Sequence, residues 1–266
     1  MTKNKNITWS YNNYAEKWAK RMREGGDSAH RYLEKPAMYG KLPNLKNKSV
    51  LCIGCGTGEE CNYIKSLGVK KIAGIDISKR LIGYAKKNYP DIEFHTMDME
   101  KLNFPKSSFD FVYSSLGLHY LKNWTKVLRN VSKVLKKNGT FLFSTHHPMR
   151  WGAEKKRAGI TKKRSKDKRW VLMGYVKYND EKKYKVYGDY LNARKVKDIW
   201  FDEFKISYYH KPLSLIIKEI LNSGFKIVDF IEPKPINSAK NKDRRFWEIH
   251  RKIPLFIIFE LKKDKK

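Results

Sequence analysis

The sequence predicts an α/β fold in which a mostly parallel sheet carries helices on both faces. Short apolar segments alternate with amphipathic ones across residues 48–145, and this alternation is typical of parallel strands joined by helical crossovers. The first strand leads into a loop with three glycines, Gly54, Gly56 and Gly58. Without a Cβ atom, such a loop can lie directly against a ligand. We therefore expect a ligand site at this edge of the sheet.

The elements of this core follow from short apolar runs and from helix stop signals. Strands are expected at 50–53, 72–75, 92–96, 109–113 and 140–144. The clearest helix is 124–135, followed by the stop signal K-K-N-G at 136–139. A helix at 212–223 and strands at 225–231 and 255–261 complete the predicted sheet.

Four segments are expected along the chain. Residues 1–46 form a helical lid in which Tyr11, Tyr14 and Trp18 follow helical spacing, with a further helix, loop and helix around Pro36. Residues 47–145 form the ligand-binding core. Residues 146–210 form a basic, aromatic and β-rich insertion on the substrate side, and residues 211–266 return to complete the sheet.

Composition narrows the classes of function. The 266 residues carry a net charge of +31, which attracts polyanions such as RNA. The densest run, from Lys155 to Arg169, holds nine basic residues and one acid, so +23 of the charge remains spread over the rest of the chain. Lysine spread over the whole chain is also what an A/T-rich coding sequence would produce, without any nucleic-acid-binding surface. No apolar run reaches the ~20 residues of a membrane span, and we expect a cytoplasmic protein.

The three cysteines do not predict a metal site. Cys52, Cys55 and Cys61 lack the paired C-x-x-C spacing of zinc sites. Two of them fall inside the first strand and the glycine loop. We expect three small, buried thiols and no metal.

The glycine spacing also argues against a dinucleotide. In dinucleotide-binding loops the third glycine follows the second by three residues, where a pyrophosphate meets the helix. Here Gly58 follows Gly56 by two residues, and the next positions are Glu59 and Glu60, which would repel a diphosphate. A nucleoside ligand without phosphate fits this loop better.

The stretch S-V-L-C-I-G-C-G-T-G-E-E at residues 49–60 resembles motif I of the class I S-adenosylmethionine-dependent methyltransferases, especially the ubiquinone-biosynthesis-type enzymes. The resemblance implies a seven-stranded Rossmann-like sheet whose last strand is antiparallel. It also implies S-adenosylmethionine as cofactor and S-adenosylhomocysteine as product, bound by Gly54, Cys55, Gly56 and Gly58. Cys52 departs from the pattern, because the family usually has an acidic residue there.

Later segments of the chain agree with this resemblance. Asp76 ends the second strand 18 residues after Gly58, where the family places an acid on the ribose hydroxyls, although D-I-S could also cap the next helix. Asp98 follows 22 residues later, where an acid and the next backbone N–H, here that of Met99, meet the adenine. The resemblance further implies cofactor contacts from two more residues, Ile77 and Ser114.

Methyl transfer to a hydroxyl or ammonium group also requires removal of a proton, which a histidine can accept near neutral pH. The candidates follow the fourth and fifth strands or precede the returning helix: His119, His146, His147 and His210. His119 and His147 are the catalytic residues we favour, with Tyr14 of the lid as a third. A structural role is the alternative for each of them.

The sequence therefore predicts a methyltransferase that acts on an O or N atom of a small-molecule acceptor. Its substrate wall is rich in aromatic residues, which suit a compact organic acceptor or a methylammonium-like cation. Two alternatives remain open. One is a tRNA or rRNA methyltransferase that uses the run from Lys155 to Arg169 as a phosphate tether, and the other is a non-catalytic RNA-binding protein with a retained cofactor pocket.

Overall fold

The computed structural model describes residues 5–152, 173–177, 184–200 and 203–264. Seven strands form one sheet in the order β10-β11-β5-β4-β1-β2-β3. These strands are β1 (Ser49–Ile53), β2 (Lys71–Asp76), β3 (Glu93–Thr96), β4 (Phe109–Ser114), β5 (Leu135–His146), β10 (Phe225–Ile231) and β11 (Phe256–Lys263). β11 is antiparallel to both neighbours, β5 and β10, while β1 to β5 pair in parallel. The seven-stranded prediction with an antiparallel last strand is confirmed.

Helices cover the sheet on both sides and also precede it. They are α1 (Lys5–Asn13), α2 (Ala15–Arg23), a π-helix (His30–Glu34) that continues as α3 (Lys35–Gly40), α4 (Glu59–Ser66), α5 (Lys79–Asn88), α6 (Thr125–Val134), α7 (Pro148–Trp151), α8 (Leu213–Leu221), α9 (Ala239–Lys242) and α10 (Arg244–His250). Two short 3₁₀ turns occupy Met99–Lys101 and Leu118–Tyr120. None of the helices in the described ranges is long and apolar enough to cross a membrane.

Three local features differ from the expectations. The loop expected near Pro36 is absent, because the π-helix runs directly into α3 and Pro36 occupies its first turn, where a missing N–H costs nothing. β5 begins at Leu135, with no gap after α6, and includes the predicted stop signal. α9 and α10 lie between the last two strands, where no helix was predicted.

Alternating side chains place the core on both faces of the sheet, as the period of two in a strand requires. On β1, Leu51 and Ile53 face one apolar cluster with α6 and α8, whereas Val50 and Cys52 face the other with α3, α4 and α5. Trp124 is fully buried on the first side. Both faces being covered explains why the central strands are apolar along their whole length.

Two antiparallel hairpins belong to the predicted insertion: β6 (Gly174–Lys177) with β7 (Tyr184–Tyr187), and β8 (Arg194–Trp200) with β9 (Phe204–His210). The inner face of the second hairpin packs on α1 and α2 through a cluster that includes Tyr11, Phe204 and Tyr208. The basic run from Lys155 to Arg169 lies outside the described residues. The β8–β9 hairpin and the N-terminal helices together roof the edge of the sheet that carries the glycine loop.

Candidate cofactor and acceptor site

A cavity opens at the carboxyl ends of β1 to β5, where ligands of open α/β sheets bind. Its floor consists of loops that follow these strands, and its roof consists of α1, α2, the π-helix and the β8–β9 hairpin. The residues that carry the argument below all line it: Tyr11, Trp18, His30, Gly54, Cys55, Gly56, Glu59, Asp76, Ile77, Asp98, Met99, Ser115, His119, Tyr120, His146 and Trp200.

The glycine loop turns sharply between β1 and α4. Gly54, Gly56 and Gly58 have φ angles of 68°, 55° and 91°, a region that glycine adopts without strain. A Cβ on Gly54 or Gly56 would have no atom closer than 3.8 Å, so both positions leave room beside the cavity. A Cβ on Gly58 would lie 2.8 Å from the ring of Phe94. Gly58 therefore serves helix packing, and the structure does not place it on the cavity wall.

Asp76 stands at the tip of β2 and faces the cavity. Its Oδ2 accepts the Gly56 N–H at 3.0 Å, and its Oδ1 accepts the Ser78 N–H at 2.8 Å. Burial raises the pKa of Asp76, while these backbone N–H groups oppose the rise. The helix cap is Ser78, whose hydroxyl accepts the Leu81 N–H. Asp76 is thus free of the capping role and binds the glycine loop instead.

Asp98 and Met99 lie beside the cavity after β3, as expected. The Oδ1 atom of Asp98 also accepts the Glu100 N–H at 2.9 Å, so this residue caps a 3₁₀ turn as well. Ser114 is not on the wall, because its hydroxyl is buried and donates to the Ile53 carbonyl. The next residue, Ser115, lines the cavity in its place.

Behind Ser115 lies a fully buried carboxyl group. Oε1 of Glu34 accepts the hydroxyls of Ser115 at 2.9 Å and Ser144 at 2.6 Å. Burial raises the pKa of Glu34, and its Oε2 has no hydrogen-bond partner. Glu34 thereby ties the π-helix to the loop that follows β4.

The position of the missing motif acid is filled by a thiol. Cys52, Cys55 and Cys61 are free, buried and clustered on one side of the sheet. Burial raises the pKa of Cys55 well above its usual range, so this thiol stays protonated. No group of side chains suited to a metal ion occurs in the ranges the structure describes.

Two histidines, His119 and His146, form part of the cavity wall. The rings of His119 and His146 stack with their centroids 3.7 Å apart and an angle of 14° between planes. Burial, with a smaller contribution from the charge of His30, lowers the pKa of His119 to about 3. Neither ring nitrogen of His119 has a hydrogen-bond partner. A neutral imidazole therefore faces the cavity near neutral pH.

The other candidates lie away from the cavity. His147 caps α7 through Nδ1 and bonds Glu232 through Nε2 at 2.6 Å. His210 bonds the Tyr190 carbonyl. The Tyr14 hydroxyl donates to the Glu203 carbonyl and ties α2 to the hairpin. The structure therefore gives Tyr14, His147 and His210 structural contacts and does not bring them to the cavity.

Sequence reasoning missed several cavity residues from the roof. Tyr11 lines the cavity in place of Tyr14, and its hydroxyl lies 2.5 Å from that of Tyr120. Trp200 contributes from the hairpin. His30 contributes from the π-helix, with Nδ1 3.1 Å from Oδ1 of Asp27. The helical spacing of the aromatic residues was the available signal for Tyr11, whereas no motif pointed to His30.

Comparisons with known proteins agree with this geometry. Residues 51–143 match the methyltransferase domain family. A Haemophilus influenzae protein described as uncharacterized is 28% identical over 98% of this chain and 99% of that protein. A malonyl-[acyl-carrier protein] O-methyltransferase from Halalkalibacterium halodurans is 34% identical, over 38% of this chain and 40% of that enzyme. A crystal structure of a Listeria monocytogenes protein assigned as an S-adenosylmethionine-dependent methyltransferase is 26% identical, with a TM-score of 0.68 over 87% of this chain and 97% of that one.

The residues present fit this cofactor. Gly54 and Gly56 leave space for a ligand against the backbone, and the carboxylate of Asp76 is placed to accept ribose hydroxyls. The phosphate-repelling pair Glu59 and Glu60 suits a nucleoside that carries no phosphate. The sheet order, the match of residues 51–143 to the methyltransferase domain family and this cofactor pocket all agree with a class I S-adenosylmethionine-dependent methyltransferase.

Proposed function

We propose that this enzyme methylates an O or N atom of a compact organic acceptor held between the glycine loop and the His119–His146 stack. The observation that carries the proposal is the roofed cavity, whose acceptor end is lined by the aromatic rings of Tyr11, Trp18 and Trp200. Such a wall excludes water and favours flat or cationic organic groups over a long polymer.

The cofactor supplies an electrophilic methyl group on a sulfonium. The protein then has to hold the acceptor's lone pair in line with that carbon. In the proposal, a neutral ring nitrogen of His119 accepts the acceptor's O–H or N–H hydrogen bond and takes its proton as the methyl bond forms. Burial lowers the pKa of His119 to about 3, so the neutral ring is available to accept this hydrogen bond but is a weak base. The proton therefore moves only as the methyl bond forms, and the protonated ring then loses it to solvent.

The test uses S-adenosylmethionine with a labelled methyl group. The enzyme is incubated with the small-molecule fraction and, separately, with the RNA fraction of a cell extract. We expect label in the small-molecule fraction, and a loss of about 100-fold in rate for His119→Phe, which keeps the stacked ring but has no nitrogen to accept a proton. His95→Gln changes an exposed histidine and is the matched control. Full activity of His119→Phe would remove this residue from the mechanism.

A second candidate, an RNA acceptor, is favoured by one surface feature. The outer face of the β8–β9 hairpin carries Lys195, Lys197 and Lys205 around a groove that also includes the exposed ring of Trp9. Lysines with an aromatic ring suit the phosphates and bases of a single strand. Label appearing in the RNA fraction, with salt-dependent binding lost on Lys→Glu changes of these three residues, would favour this candidate.

A further inference from the structure

The wall of the cavity bears several ionisable groups that the proposed reaction does not use. Two of them are His30 of the π-helix and Glu59 at the start of α4. Their positions differ from that of Asp76, which ends β2. Where the family usually has an acidic residue in motif I, this chain has the buried thiol of Cys52, so that position offers the cofactor no carboxylate.

His30 is held in one orientation. Oδ1 of Asp27 lies 3.1 Å from both the Nδ1 atom and the backbone nitrogen of His30. Its ring meets Trp18 edge to face with centroids 6.5 Å apart. Trp18 in turn lies over the loop, since its Nε1 atom would be 3.9 Å from a Cβ placed on Gly56. Within the described residues, no hydrogen bond engages Nε2 of His30, and the ring lines the cavity.

The charges around His30 favour its protonated form. Burial lowers its pKa, but the hydrogen bond and charge of Asp27, then the charges of Glu34 and Glu60, raise the pKa above the usual value. Across the cavity the neutral His119 carries no opposing charge. Among the described residues that line the cavity there is no lysine or arginine, so a ligand carboxylate has His30 as its natural cation.

Glu59 offers the complementary group. The Thr57 hydroxyl donates to its Oε2 at 2.6 Å, while its Oε1 is buried and has no hydrogen-bond partner. The neighbouring Glu60 is engaged elsewhere, by Lys35 at 3.1 Å. Burial raises the pKa of Glu59, so a nearby cation would favour its charged form.

We propose that His30 and Glu59 together recognise the zwitterionic amino-acid end of the cofactor, with Nε2 of His30 donating to its carboxylate and Oε1 of Glu59 accepting from its ammonium. Asp27 is then a positioning residue that acts through His30. This arrangement takes over the role of the absent motif acid, and it moves part of cofactor recognition from the sheet to the N-terminal roof. The inference rests on the proposed cofactor but not on the acceptor.

The experiment measures binding, by calorimetry, of S-adenosylhomocysteine, of its decarboxylated analogue and of the analogue without the amino group. The wild-type protein should lose about 10- to 100-fold in affinity with either analogue, because each lacks one charge-assisted hydrogen bond. His30→Gln should bind S-adenosylhomocysteine more weakly by a similar factor and no longer distinguish it from the decarboxylated analogue. Glu59→Gln should do the same for the amino group.

Matched controls come from the exposed pair His95 and Glu93, whose Nε2 and Oε1 atoms lie 2.7 Å apart. His95→Gln and Glu93→Gln should keep wild-type affinity and wild-type discrimination. Asp27→Asn provides a milder variant that retains His30, and it should lose part of the carboxylate discrimination. Circular dichroism of each variant separates a folding defect from a binding defect.

The pH dependence of binding provides a test that a purely structural role of His30 would not satisfy. Since the pKa of His30 is raised above its usual value, its charge persists to higher pH than that of an ordinary histidine and is lost as pH rises through that pKa. The affinity for S-adenosylhomocysteine should therefore fall over this range, while that for the decarboxylated analogue should not. The inference is overturned if folded His30→Gln and Glu59→Gln keep wild-type discrimination. A wild-type protein that binds none of the three ligands would overturn the cofactor assignment itself. Failure to methylate any acceptor would bear on neither the cofactor assignment nor the roles of His30 and Glu59, because both are tested by binding alone.

Discussion

The sharpest test of the cofactor pocket is Asp76→Asn. This change keeps the shape of the side chain but removes its charge at the tip of β2. Each carboxylate oxygen already accepts one backbone N–H, at 3.0 Å from Gly56 and 2.8 Å from Ser78. The remaining lone pairs are available to the two ribose hydroxyls, and an asparagine can accept with one oxygen only.

The magnitude follows from the hydrogen bonds that are lost or weakened. A hydrogen bond to a charged group contributes about 1.5–3 kcal/mol, and the change removes one such bond and neutralises the other. We expect a loss of about 3 kcal/mol in binding free energy, which corresponds to roughly 100-fold in the dissociation constant for S-adenosylhomocysteine.

Calorimetric titration of S-adenosylhomocysteine into both proteins measures this difference directly. Asp91→Asn is the control, because Asp91 is an exposed carboxylate that follows α5 and lies away from the cavity. Thermal unfolding without ligand tests whether the Asp76 variant keeps its fold. A folded Asp76→Asn protein with an affinity within about threefold of the wild type would refute the role of this carboxylate in the pocket.

Four further predictions concern stability, each measured by denaturant unfolding. Gly74→Ala should destabilise the protein by about 1–3 kcal/mol, because a Cβ there would lie 2.7 Å from an aromatic ring of β3. Gly83 is exposed in α5, and a Cβ there would have no atom within 4 Å, so Gly83→Ala should stabilise the protein by about 0.5–1 kcal/mol. Burial lowers the pKa of His119 from 6.5 to about 3, so the unfolded chain binds this proton more tightly than the folded chain does. The free energy of unfolding should therefore fall as pH drops from about 6.5 to about 3, and His119→Phe should show a smaller fall. Lys211→Met should destabilise by about 3–5 kcal/mol, since the carboxylate of Glu219, now 2.6 Å from the ammonium, would stay buried without its cation and keep the Trp124 backbone N–H as a partner. A change below about 1 kcal/mol would contradict this.

The central sheet could be predicted because its signals are local. Apolar runs, glycine turns and helix stops lie within a few residues of the elements they specify, so β1 to β4 are found within one or two residues of the predicted bounds. α9 and α10 were missed because neither is long enough to show an amphipathic repeat.

The site was predictable in part for the same reason. Gly54, Gly56, Asp76 and Asp98 follow strands at fixed spacings, and the structure brings them to one cavity. The choice between Tyr11 and Tyr14 depends on which face of a helix meets the hairpin, which is a tertiary contact. His30 reaches the cavity only through the packing of the π-helix, so no sequence spacing could reveal it.

The N-terminal helices are fastened at both rims of the cavity. On one side Asn12 accepts the Ser78 hydroxyl at 2.7 Å and a guanidinium N–H of Arg80, and on the other Ser10 donates to the Lys205 carbonyl at 2.8 Å. These contacts hold the helical roof against the cavity, and opening the roof for cofactor exchange would break them. We therefore expect the departure of the nucleoside product, more than the bond-making step, to set the pace of each catalytic cycle.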